Sequence, residues 1–208
     1  MVRVGRWKIE GSPMAILVDF TPFFSRKDEI FSKFWELYKL DSISGAWDYI
    51  EPSLFGYATG KVIESFIRFF GLGNRQIAAH FHEWMTGAGL LYLKENQPQV
   101  GTVFTTHATV VGRSLAGNNM PLYKMMDGIN ADEKARELNV MAKQSIEKIA
   151  AQQADAYTTV SEITARECAR FHQKEVDIIT PNGFEDSFVP PKEDFEKKRA
   201  QAREKLLK

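Results

Sequence analysis

The sequence predicts an α/β domain, a doubly wound parallel sheet with helices on both faces. Three observations predict it. Short apolar stretches alternate with longer stretches of helical period along the chain, and such alternation builds parallel sheets covered by helices. Two of the apolar stretches run directly into histidine, at Ala79-His80-Phe81-His82-Glu83-Trp84 and Thr105-Thr106-His107-Ala108-Thr109. Open parallel sheets bind ligands in the crevice outside the carboxyl ends of their strands, so imidazoles at two strand ends read as a site. Finally, 208 residues with 44% hydrophobic content and 15 Phe suffice for one domain with a sizeable core. Disorder requires the opposite balance of low hydrophobicity and high net charge.

Element by element, Val2 and Val4, then Trp7 and Ile9, alternate with charged residues as in a half-exposed strand. Gly11-Ser12-Pro13 turns the chain into Ala15-Ile16-Leu17-Val18, which reads as a short buried strand. A strand so near the first residue suggests that further sequence precedes this chain. Ile30, Phe31, Phe34, Trp35, Leu37 and Tyr38 recur at three- and four-residue steps. After a loop over residues 42–51, Phe55, Val62, Ile63, Phe66, Ile67 and Phe70 resume that period. Gly71-Leu72-Gly73-Asn74 stops the helix. It lacks a third glycine and precedes a strand, so it is no dinucleotide fingerprint.

Residues 77–82 read as a strand, Gly87-Ala88-Gly89-Leu90-Leu91 as part of a helix, and residues 100–105 as a strand after Gln97-Pro98. Gly117-Asn118-Asn119 and Asp127-Gly128 mark a long loop. Residues 132–153 read as one helix, with Ala135, Leu138, Met141, Ala142, Ser145, Ile149 and Ala150 on its apolar face. Residues 156–160 form a strand, Ser161 caps a helix over 163–171, and residues 176–180 form a last strand closed by Pro181-Asn182-Gly183. The segment 192–208 is highly charged, with Phe195, Leu206 and Leu207 its only large apolar residues, and reads as a solvated helix or linker. There is no internal repeat.

Composition excludes several classes. Lys+Arg and Asp+Glu balance at 27 each, so no net field draws the chain to nucleic acid or an anionic membrane. A single cysteine, Cys168, allows neither an internal disulfide nor a thiolate cluster. Met1-Val2-Arg3-Val4-Gly5-Arg6-Trp7-Lys8 is too charged for a secretory signal. The longest apolar runs fall far short of the ~20 residues that span a bilayer. A soluble, cytoplasmic protein is expected.

His80 and His82, two apart on a strand, share one face while Phe81 takes the other. That spacing suits two metal ligands with Glu83 nearby, as in a metal-dependent hydrolase. Such a site needs further ligands, and only His107 and His172 remain, the latter within polar sequence read as exposed. His80, inside the strand, reads as a satisfied core histidine holding a neighbouring backbone group; His82, at its end, reads as functional. Glu83 falls in the first turn of a helix, where the macrodipole favours an acid whether or not it meets a substrate. Trp84 suits either a sugar-stacking platform or the packed interior. Gly87 and Gly89 cost helix stability, so another backbone or a ligand at the helix N-terminus must come close. Thr106 and His107, with Arg113 beyond Gly112, put a donor and a cation where an anionic or hydroxylated ligand would sit; Arg113 equally suits a plain surface charge.

Five motifs then appear in order. They are Gly5-Arg6-Trp7-Lys8-Ile9-Glu10-Gly11, Ala79-His80-Phe81-His82-Glu83-Trp84-Met85-Thr86-Gly87, Phe104-Thr105-Thr106-His107-Ala108-Thr109 with Gly112-Arg113, Thr158-Thr159-Val160-Ser161-Glu162-Ile163-Thr164-Ala165, and Pro181-Asn182-Gly183. Over residues 2–188 the chain closely resembles the animal- and fungal-type glycogen synthases, in a bacterial-looking version.

The resemblance implies a retaining glucosyltransferase of the GT-B kind, with two Rossmann-like domains facing each other across a cleft. Such enzymes move glucose from a nucleotide-sugar, UDP-glucose or ADP-glucose, to the non-reducing end of glycogen or a maltooligosaccharide, with no metal and no other cofactor. Residues 1–189 resemble part of the amino-terminal domain, and residues 190–208 a charged connection toward a carboxyl-terminal domain. The glycine-rich Lys-x-Gly-Gly loop and that second domain have no counterpart here. The chain alone is therefore expected to be inactive, and the intact enzyme is compatible with a homo-oligomer. Carried over by motif, His82, Glu83 and His107 are the catalytic candidates. Trp84, Thr106, Arg113 and Asn182 join them as substrate-binding candidates. A non-catalytic carbohydrate-binding module and a hydrolase using His80 and His82 as metal ligands are the alternatives.

Overall fold

The computed structural model describes residues 2–183 and 189–206; Phe188 and Leu207, which entered the reading above, lie outside them. Strands β1 (Val2–Arg6) and β2 (Met14–Val18) pair antiparallel, with Val4 opposite Ile16. They form a two-stranded ribbon separate from the main sheet. The expectation of a buried strand here is corrected, since Leu17 is 69% exposed. A run of four aliphatic residues marks a strand but does not say which sheet will cover it.

Helices α1 (Lys27–Tyr38) and α2 (Trp47–Phe69) follow. Ile30 and Phe34 are the buried residues of α1, one turn apart on a single face. α2 starts inside the stretch read as loop, with Pro52 within its second turn, and Gly71 closes it at φ +62°. That left-handed conformation suits a residue without a Cβ.

The remaining chain builds the main sheet and its crossovers: β3 (Ala78–His82), α3 (Gly87–Asn96), β4 (Gly101–Thr106), α4 (Val110–Gly117), α5 (Leu122–Met125), α6 (Ala131–Glu137), α7 (Met141–Gln153), β5 (Ala156–Thr159), α8 (Glu162–His172) and β6 (Ile178–Ile179). The four strands are parallel in the order β3-β4-β5-β6, flanked by helices. The register sets Phe81 beside Phe104 and Phe104 beside Tyr157. These rings form the core with Leu90, Leu91 and Leu93 of α3 and Ile146 of α7. His80 and His82 alternate onto the opposite face, as period-two geometry requires.

Two helical expectations change. The stretch read as a long loop holds α4 and α5, and the single helix expected over 132–153 is broken between α6 and α7. Asn139 stands at φ +58° in that break, a conformation asparagine tolerates better than most residues. α9 (Lys192–Leu206) is a helix with no buried residue, which resolves the helix-or-linker choice.

Gly89 shows what approaches α3. A Cβ there would stand 2.5 Å from the carbonyl oxygen of Gly56, and one on Gly60 would stand 2.9 Å from the Gly89 carbonyl oxygen. The neighbour is the backbone of α2. Gly87 faces Ile146 and Ala150 of α7 in the same way. Close helix packing therefore accounts for both glycines, and it fixes α3 directly behind the end of β3. Among the described residues no helix is long and apolar enough to cross a membrane.

Candidate functional site

Adjacent parallel strands bring two imidazoles to one edge. β3 ends at His82, paired in register with Thr105 of β4, and His107 lies two residues past Thr105. His82 Nδ1 stands 3.1 Å from His107 Nε2. The His80 ring lies 4.0 Å from the His82 ring, and its Nε2 meets Thr105 Oγ1 at 2.7 Å. Thr105 Oγ1 in turn meets Thr158 Oγ1 at 2.6 Å, extending the chain of contacts to β5. His80 is thus satisfied, but by a hydroxyl and on an exposed face, where a core residue holding backbone was expected.

Burial, reinforced by the neighbouring His80 and His107, holds the His82 pKa below its usual 6.5. The residue is therefore neutral at pH 7. Beyond the contact between them each ring keeps one outward nitrogen, His82 Nε2 and His107 Nδ1. Sugar hydroxyls both donate and accept, so this edge can hold them without choosing an orientation first.

Glu83 joins the two strand ends. Its amide donates to the Thr105 carbonyl at 2.9 Å, and its Oε1 accepts from the amides of His107 at 2.8 Å and Ala108 at 3.3 Å. It does so at φ +65° and ψ +162°, a region populated almost only by glycine. A side chain placed there against backbone preference implies that its contacts hold it. Burial raises the Glu83 pKa, against which the hydrogen bond from the His107 amide and the charge of Arg113 both act.

The other candidates are distributed around this edge. Trp84 is half-buried, stacked on Tyr49 at 6.1 Å with Lys143 Nζ 5.4 Å from its ring centroid. Thr106 is fully buried; its hydroxyl accepts from the Tyr157 hydroxyl at 3.2 Å and its carbonyl accepts from Thr159 Oγ1 at 2.6 Å. Arg113 is exposed on α4. Asn182 is exposed beyond β6. That strand is three steps of ~4.8 Å from β3, so the turn lies at the far end of the same edge. Among the described residues no group of three or more His, Cys, Asp or Glu is placed to hold a metal ion.

Beneath the His107 turn lies a buried polar layer that reading the sequence missed. Glu147 Oε2 accepts from the Val110 amide at 2.8 Å and from His172 Nε2 at 2.9 Å. Thr109 Oγ1 donates to Glu167 Oε2 at 2.6 Å and accepts from the Gly112 amide at 3.1 Å. His172, expected to be exposed, is fully buried. Its neighbours Gln173-Lys174-Glu175 disguised it, because its partners come from α7 and β5. One signal was available: Glu147 stands three and four residues before Ala150 and Ala151, an acid one turn from two alanines that the helix buries.

The fold defines a class, a Rossmann-like domain with a four-stranded parallel sheet flanked by helices. The sequence matches the Glycogen synthase family model over residues 1–208. The chain belongs to the glycogen synthase family. It is 34% identical to the glycogen [starch] synthase of Dictyostelium discoideum over 88% of its length and 20% of that protein. It is 31% identical to that of Neurospora crassa over 97% of its length and 28% of the relative. Against the liver glycogen [starch] synthase of Rattus norvegicus the identity is 32% over 88% of this chain and 26% of the relative. The chain therefore spans less than a third of the length of these relatives.

Proposed function

We propose that this chain forms one wall of the cleft of a retaining glucosyltransferase, which moves glucose from UDP-glucose or ADP-glucose to the non-reducing end of an α-1,4-glucan. The observation that carries the reading is the 3.1 Å pairing of His82 and His107 at the carboxyl edge of neighbouring parallel strands. Family membership supports the reaction, and the two outward ring nitrogens suit sugar hydroxyls. In this reading His107 and His82 hold the transferred glucose, and His107 stabilises charge developing at its anomeric carbon. Glu83 holds the turn that aims His107. Retention follows from same-face attack assisted by the leaving diphosphate, with the protein supplying position and field. No resident metal is part of the proposal: His80 Nε2 is engaged by Thr105, and His82 Nδ1 by His107. Stoichiometric zinc retained after mild chelation would instead favour the hydrolase.

The second wall, with its groups for the diphosphate, belongs in this reading to a carboxyl-terminal domain. Positioning contributes roughly 7–11 kcal/mol to lowering a barrier, and half a cleft forfeits most of it. Incubating these 208 residues with labelled UDP-glucose or ADP-glucose plus glycogen is expected to give no incorporation above a boiled control. The same assay on an intact enzyme containing this segment is expected to give robust incorporation. Incorporation by the short chain, or none by the long one, contradicts the proposal.

A further inference from the structure

We propose that His172, buried as an imidazolium, is a positioning residue that grips the His107 turn from both sides. One arm runs through Glu147 to the Val110 amide, by contacts of 2.9 Å and 2.8 Å. The other runs from His172 Nδ1 to the Tyr157 hydroxyl at 2.5 Å, and from that hydroxyl to Thr106 Oγ1 at 3.2 Å. Thr106 and Val110 bracket His107 in sequence, so one ring fixes both ends of the segment that carries it.

The proton inventory requires the charged form. A tyrosine hydroxyl has one proton, and Tyr157 donates it to Thr106, so His172 Nδ1 must donate to Tyr157. His172 Nε2 faces a carboxylate oxygen that already accepts from Val110, so it must donate as well. Both ring nitrogens therefore carry hydrogen. The groups facing this ring are Glu147 from α7, Tyr157 from β5 and Cys168 from its own helix, α8. Burial works against the charge more than any single neighbour favours it, yet the Glu147 carboxylate and Cys168 together outweigh it and lift the His172 pKa to about 9. A neutral ring would surrender one arm: without a proton on Nε2 the Glu147 carboxylate loses a donor, and without one on Nδ1 the Tyr157 hydroxyl turns to that nitrogen and leaves Thr106.

This layer touches no surface where a substrate sits; it acts through His107. The consequence for turnover rests on the transferase reading, whereas the consequence for the turn's geometry does not. The chain contains four histidines, so histidine-selective 15N NMR resolves each ring. His172 is expected to show two protonated nitrogens at pH 7 and to titrate near 9, and its signal is identified by its loss in H172Q. In H172Q the Val110 amide is expected to exchange with solvent about tenfold to a hundredfold faster, the loss of one charge-assisted hydrogen bond. The ring 15N shifts of His82 and His107 are expected to move as well, which a merely structural change elsewhere would not produce. Should H172Q unfold, Tyr157→Phe decides. It cuts only the Thr106 arm, so the His107 ring shifts should move while Val110 protection persists. A His172 that titrates at its ordinary value overturns the proposal, as do His82 and His107 ring shifts unchanged in the folded variant.

Discussion

Two histidine pairings lie on either side of the same turn, and their surroundings give them opposite charge states. At the sheet edge His82 and His107 face each other in the open, and partial burial with like neighbours keeps His82 neutral. Behind the turn, His172 is sealed from water against a carboxylate and carries a charge. The difference teaches what each is for. A half-open pair keeps two nitrogens for a ligand, while a buried cation spends every donor on the protein. Glu83 and Glu147 connect the two layers, since each accepts an amide of the His107 turn.

The largest effect expected is on the buried side. Glu147→Gln removes the charge that His172 was folded against, and breaking one partner of a buried pair costs about 3–5 kcal/mol. Chemical denaturation checks this, and a loss well under 1 kcal/mol would place the pair closer to solvent than described here. On the exposed side, His107→Ala should leave stability nearly unchanged. In an intact enzyme it should lower kcat on the order of a hundredfold, with little change in acceptor affinity. Near-normal turnover assigns His107 to packing.

The comparison also has a pH signature, with opposite signs. The folded pKa of His172, about 9, lies above its unfolded value of 6.5, so its stabilisation is fully present below pH 6.5 and fades as pH rises through 9. The span corresponds to roughly 3 kcal/mol. His82 is depressed, so its contribution is present above 6.5 and is lost as pH falls through its folded pKa. Thermal unfolding from pH 7 to 9.5 should therefore show a falling Tm that H172Q abolishes; an equal slope in that variant points to another group. Gly89→Ala serves as the control. Its Cβ would meet the Gly56 carbonyl and the Phe81 ring, costing about 1–3 kcal/mol, without touching either imidazole layer. The ring 15N shifts of all four histidines should survive it, and a shifted His107 would mean that α3 packing also sets the turn.

The sequence showed the exposed layer and hid the buried one, for a physical reason. His82 and His107 end apolar strands, a local pattern that parallel-sheet architecture turns into proximity. The strand and helix order from Ala78 to His172 was legible in the same way, except for α4 and α5 in a stretch read as loop and where Asn139 breaks a helix that its apolar period carries straight through. His172 sits among polar neighbours, and its partners are 25 and 15 residues away. No local periodicity encodes such a pairing. The ribbon of β1 and β2 failed similarly, because four aliphatic residues state a strand and leave its cover unstated.

The most direct test of the central claim is a titration of this chain with maltooligosaccharide, read at the four histidine rings. The account predicts weak, saturable shifts at His82 and His107, a smaller one at His80, and none at His172. Shifts confined to other surfaces, or none at the His82–His107 pair at saturating sugar, would contradict the assignment of this edge to the glucan.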